Sequence, residues 1–160
     1  MFMRLAILLA AVVVVATTSG ALANDSPRQT KIEHNSAQVM PFSMDATMHR
    51  FVATPAGGVQ TVFVHDGDPK QIVLVRSHLR KEANAFARGD FADPASIHGG
   101  DMPGLKAMHA GAKRIRVHYA DVRNGAAITY ATADPALVAA IHAWFRAQVS
   151  DHGKHASMTM

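Results

Sequence analysis

Asp68-Pro69 recurs as Asp134-Pro135, 66 residues further on, and at the same offset Leu79-Arg80 lies over Phe145-Arg146. Aspartate as N-cap with proline at the first helical position marks a helix start, so two helices are expected in matching contexts. Each is preceded by a pair of strand-like runs. Met48-His49-Arg50-Phe51-Val52-Ala53 and Val59-Gln60-Thr61-Val62-Phe63-Val64 flank the turn Pro55-Ala56-Gly57-Gly58, and Arg114 to Tyr119 and Ala127 to Ala131 flank Arg123-Asn124-Gly125. β-Branched runs bounded by such turns read as hairpins. One ββα unit alone leaves a ribbon face and a helix stripe wet. Two joined units predict an α+β fold, a four-stranded antiparallel sheet with both helices on one face. The expected strands are 48–54, 59–65, 114–120 and 126–132, and the expected helices 69–88 and 135–151.

The buried stripes predicted at helical spacing are Ile72, Val75, Leu79, Ala83 and Phe86, then Leu137, Ile141, Trp144, Phe145 and Gln148. Trp144 belongs to the core on this reading. Between the units, 90–111 is a Gly/Pro-rich connection with two short helical turns, 94–97 and 103–110. Residues 46–153 thus form one domain. Segment 24–45, polar and proline-broken, is expected to be a flexible arm, and 154–160 a flexible tail. The outer sheet face, bearing Arg50, Gln60, Arg116, His118 and Thr129, stays open unless a partner or a second copy covers it.

Met1-Phe2-Met3-Arg4, an apolar run from Leu5 to Ala16 and the small residues ending at Ala21-Leu22-Ala23 have the layout of a cleavable signal peptide, with the cut after Ala23. The run of 12 is short of the roughly 20 apolar residues a membrane span needs. The mature chain is therefore expected in the periplasm or secreted, without stable membrane insertion. The pI is about 9.8, but the net charge is only +4 and spread along the chain, which is no nucleic-acid footprint. With no cysteine, stability rests on an ordinary core rather than on disulfides.

The stretches His78-Leu79-Arg80, Gly89-Asp90-Phe91, Ile97-His98-Gly99, Met102-Pro103-Gly104-Leu105, Asp134-Pro135-Ala136-Leu137-Val138, Trp144-Phe145 and Asp151-His152-Gly153 resemble a small bacterial family whose members are commonly labelled aspartate carbamoyltransferase. The resemblance covers roughly Met48 to His155 and implies no established catalytic residues. Carbamoyltransferases hold carbamoyl phosphate with a Ser-Thr-Arg-Thr run at a helix start, and this chain has none. Carbamoyltransferase activity is therefore not expected.

Ten histidines and nine methionines without cysteine are the soft ligand set that suits copper in an oxidising compartment. The candidate metal ligands are His78, His98, Met102 and His152, which could converge at one end of the sandwich; helix capping and loop hydrogen bonds are their alternative duties. On a helical wheel His152 falls on the inward stripe of its helix, an odd place for an unpartnered imidazole. Met40, Met44 and Met48 on the arm, and His155, Met158 and Met160 on the tail, are further soft ligands. Asp90, Asp93 and Asp101 lie near His98 and His109 in sequence, so a His/Asp acid–base pair is also possible. Three classes follow: an exported binding protein, with copper as the candidate ligand; a protein-interaction or homodimer module using the open sheet face; and a small enzyme.

Overall fold

The structure is a computed structural model that describes residues 26–159. The expected signal peptide, 1–23, lies outside the described residues. Five helices, α1 (Pro27–Val39), α2 (Pro69–Ala87), α3 (Ala92–His98), α4 (Leu105–Gly111) and α5 (Pro135–His152), accompany five strands. These are β1 (Thr47–Thr54), β2 (Gly57–Val64), β3 (Arg116–Val122), β4 (Gly125–Ala131) and β5 (Ala156–Thr159). The class is α+β, and the two ββα units are present.

The repeated Asp-Pro pairs act as their chemistry requires. Asp68 Oδ1 accepts from the Lys70 amide at 2.8 Å and Asp134 Oδ1 from the Ala136 amide at 2.9 Å, which satisfies one free amide at each helix start. The hairpins join through their second strands, giving the sheet order β3-β4-β2-β1-β5. The first four strands are antiparallel. The sheet is nonetheless five-stranded and mixed, because β5 pairs parallel to β1, His49 opposite Ala156 and Phe51 opposite Met158. An edge strand leaves a row of backbone groups unpaired, and here the chain beyond α5 folds back to take them up. Residues 156–159 of the tail expected to be flexible are therefore part of the sheet.

The described part of the expected arm, 26–45, is likewise more ordered than expected. Ser26 Oγ accepts from the Gln29 amide and Gln29 Oε1 from the Ser26 amide, a capping box that starts α1 ahead of Pro27. Burial of Ile32 and Ser36, and the 3.0 Å bond from Asn35 Nδ2 to the Ile97 carbonyl, seat α1 against α3.

Leu79, Phe86, Leu137, Ile141, Trp144 and Phe145 are all buried, as their stripes predicted, whereas Ile72 is half-buried. α2 and α5 cover the same sheet face. Gln60 points into that covered face rather than out of it: it stands opposite Phe51, while Arg50 stands opposite Thr61. Directly paired residues share a face, and the Tyr130 hydroxyl donates to Gln60 Oε1 at 2.9 Å to satisfy the amide. On the outer face the Arg50 guanidinium lies 5.2 Å from the Phe63 ring centre and screens it. Among the described residues Val73, on α2, is the one large hydrophobic that is exposed. Gly104, at φ +81°, starts α4 where a Cβ would run into the Ala140 carbonyl, so it brings α4 against α5. No described helix is long and apolar enough to cross a membrane.

Candidate functional site

Several elements turn polar side chains inward at one place. His49 shares the parity of Thr47 and Phe51 on β1, so its ring enters the core. His78 and Glu82 stand one turn apart on α2, on the side of Leu79 and Phe86. Trp144 and Gln148 are likewise one turn apart on α5, and His98 closes α3. With Gln60, Val62 and Ile128 of the sheet, Val39 at the end of α1, and Met40 and Phe42 just after it, they line a cavity of about 40 Å³ between the layers.

Three residues lining this cavity carry buried polar atoms with no hydrogen-bond partner: His49 Nδ1, Glu82 Oε1 and Trp144 Nε1. Burial, reinforced by the imidazoles of His78, His98 and His155, pushes His49 down to about 3. Burial and then Lys81 push His78 down to about 4. Glu82 is pushed up to about 8, by burial first and then by the neighbouring Asp93, against the opposing pull of Lys81. Asp93 moves the other way, because Lys81 Nζ donates to its Oδ2 at 2.7 Å. At neutral pH the wall therefore presents neutral imidazoles and a protonated carboxyl, with the ionised Asp93 held by Lys81.

Behind His98 lies a second arrangement. Arg28 donates from Nε to Asp151 Oδ1 at 2.5 Å and from its Nη2 to Oδ2 at 2.8 Å, and His98 Nδ1 lies 2.9 Å from that same Oδ2. An ionised carboxylate only accepts, so Nδ1 carries the proton and Nε2 keeps the lone pair. Burial holds His98 below the usual histidine range even though Asp151 pulls upward. Asp90, Asp93 and Asp101 do not bond His98; Asp90 Oδ1 caps the Ala92 amide and His109 is exposed.

Of the four candidate metal ligands, His78 and His98 line the cavity. His152 stacks edge-on to His98 with ring centres 4.9 Å apart, and lies 5.0 Å from His49. Met102 is 3 % exposed, packs in the apolar core and does not line the cavity. Among the described residues no three His, Asp or Glu side chains are grouped so as to hold a metal ion. Sequence reasoning passed over Glu82 and Arg28. Glu82 had a signal, since positions 75, 79, 82 and 86 follow one helical stripe and a carboxyl among them has to be buried. Arg28 had none, being separated from Asp151 by 123 residues.

Fold and site together define a two-layer α+β protein with a small cavity between helices and sheet, lined by apolar side chains and a few polar ones. Comparison with protein-family models, with curated proteins and with solved structures finds no match.

Proposed function

We propose that this chain is a small exported binding protein that holds a neutral polar molecule of a few non-hydrogen atoms in the cavity between sheet and helices. The observation that carries the reading is the set of three buried polar atoms without a hydrogen bond, on His49, Glu82 and Trp144, around one cavity; Lys81 Nζ lies near Glu82 Oε1, at 3.6 Å. Each such atom costs about 1–3 kcal/mol if left without a partner, and a bound molecule offering both a donor and an acceptor would supply partners. Neutrality of the imidazoles and of Glu82 disfavours a charged guest, since burying an unpaired charge is expensive. The cavity has room for little more than a few waters. Export rests on the leader-like segment, and N-terminal sequencing of protein from the periplasmic fraction should begin at Asn24.

Acetamide and urea serve as neutral probes in an NMR titration of the Trp144 indole N–H, with acetate and guanidinium as charged controls. Saturable shifts with a neutral probe, weakened in Glu82→Gln, are expected. Shifts that are absent, or the same for all four probes, would leave water as the filler and overturn the reading. Small molecules released by denaturing untagged protein, analysed by mass spectrometry, would identify a native ligand.

A second reading has its own observation. His98, oriented by Asp151 and Arg28, is a base with a free Nε2, and Glu82 is a protonated acid on the same cavity. Groups split in this way fit proton transfer on the bound molecule, and chemical change of that molecule, abolished in His98→Gln, would distinguish enzyme from carrier.

A further inference from the structure

A second, ion-sized hole lies on the far side of His152. Gly153, at φ +52°, turns the chain out of α5 into the 3-10 turn Gly153–His155, and the pairing of β5 with β1 then returns His155 to the side of His152. Met44, from the segment between α1 and β1, packs in from the other direction. Met44, His152 and His155 together line a cavity of about 10 Å³, on whose wall Asp151 and Glu33 also lie. That volume is about one water.

One side chain there lacks the partner its chemistry calls for. His155 Nε2 is buried without a hydrogen bond, and its nearest carboxylate oxygen, Asp45 Oδ1, is 3.5 Å away on a side chain that is 80 % exposed. His152 is buried, and burial together with the imidazoles of His49, His98 and His155 keeps it neutral. Two imidazoles and a thioether around a hole of this size are soft donors. Hard cations want six or more oxygens, and zinc wants four ligands of the Cys/His/Asp/Glu type. Asp151, however, is taken up by Arg28 and His98, Glu33 is exposed, and among the described residues no three His, Asp or Glu side chains are grouped to hold such an ion. Cu(I) accepts imidazole and thioether donors in low coordination.

We propose that Met44, His152 and His155 form a binding site for a soft monovalent cation, Cu(I) by preference. It shares no residue with the lining of the larger cavity, and its success or failure is independent of what that cavity binds.

The full chain is titrated with Cu(I) under anaerobic, reducing conditions against a competing Cu(I) chelator, beside His155→Ala, Met44→Leu and Met102→Leu. One equivalent is expected to bind, at least about tenfold more weakly in His155→Ala and Met44→Leu and unchanged in Met102→Leu. Met44→Leu conserves volume, so folding is retained. A second measurement does not depend on variants: Ag(I) added to the isotope-labelled full chain should shift the His152 and His155 ring signals and the Met44 methyl first. Unaltered affinity in both variants overturns the site, and so do first shifts at His78, Trp144 or Met102.

Discussion

Trp144 and Phe145 are neighbours on α5, equally buried, yet they carry different burdens. Phe145 fills apolar space against Phe51 and sits over Gly58, where a Cβ would run into its ring. Phe145→Ala should cost about 3–5 kcal/mol, as large aromatic truncations in cores do. Trp144 brings an indole N–H that finds no acceptor. Replacing it with Phe removes an unsatisfied donor and some contact area, and these act in opposite directions. Trp144→Phe should therefore change the unfolding free energy by no more than about 1 kcal/mol, while weakening binding of a neutral probe at the cavity. Denaturant unfolding of both variants, with and without acetamide, checks the contrast. A Trp144→Phe loss as large as that of Phe145→Ala would mean that the indole N–H is satisfied in solution.

At the scale of elements, α1 and β5 both come from segments whose local pattern reads as flexible. Helix α1 has few apolar residues to bury, and Ile32 is the one large side chain it places in the core. Its docking leans on polar ties: Arg28 to Asp151 and to the His98 carbonyl, Asn35 to the Ile97 carbonyl, and Gln29 to the Ser150 carbonyl. Asp151 is 4 % exposed in its side chain while Arg28 is 58 % exposed, so the partners are not equivalent. Arg28→Ala strands a buried carboxylate, whereas Asp151→Asn leaves a guanidinium that water can reach. Arg28→Ala should be the more destabilising of the two, by about 1–3 kcal/mol. It should also speed hydrogen exchange across α1 without touching β1 and β2. Equal losses in the two variants, or unchanged exchange in α1, would show that helix packing rather than the ion pair holds the element.

At the scale of the whole molecule, the buried titratable groups tie stability to pH in two opposing directions. His49, His78, His98 and His152 all sit below the ordinary 6.5 when folded, His49 at about 3 and His78 at about 4. As pH falls through 6.5 the unfolded chain takes up protons that the folded chain refuses, so stability declines toward pH 4. Glu82 acts oppositely. It is protonated in the folded state up to about 8 but ionises near 4.5 when unfolded, so its contribution is full below 4.5 and is lost as pH rises toward 8. Four groups outweigh one on the acid side, and Tm should climb from pH 4.5 to about 7 and then fall more gently toward 8. Glu82→Gln should flatten the alkaline limb and leave the acid limb in place, as thermal melts followed by circular dichroism across this range would show. A wild-type Tm that is flat between pH 4.5 and 6.5 would mean that the imidazoles are hydrated in solution.

The repeat of Asp-Pro helix starts, the two hairpins and the inward stripes were legible in the sequence, because each is a local device: a cap, a turn, a periodicity of two or 3.6 residues. The inward place of His152 was legible for the same reason. Three features were decided only in the folded chain. Gln60 faces inward because pairing sets it opposite Phe51, a relation between strands that neither strand contains. β5 exists because β1 has an open edge and Gly153 turns the chain back to it. His98 is joined to Asp151 rather than to an aspartate near it in sequence, across 53 residues. The site gathers histidines from a strand and three helices, so its chemistry depends on distances that no run of neighbouring residues encodes.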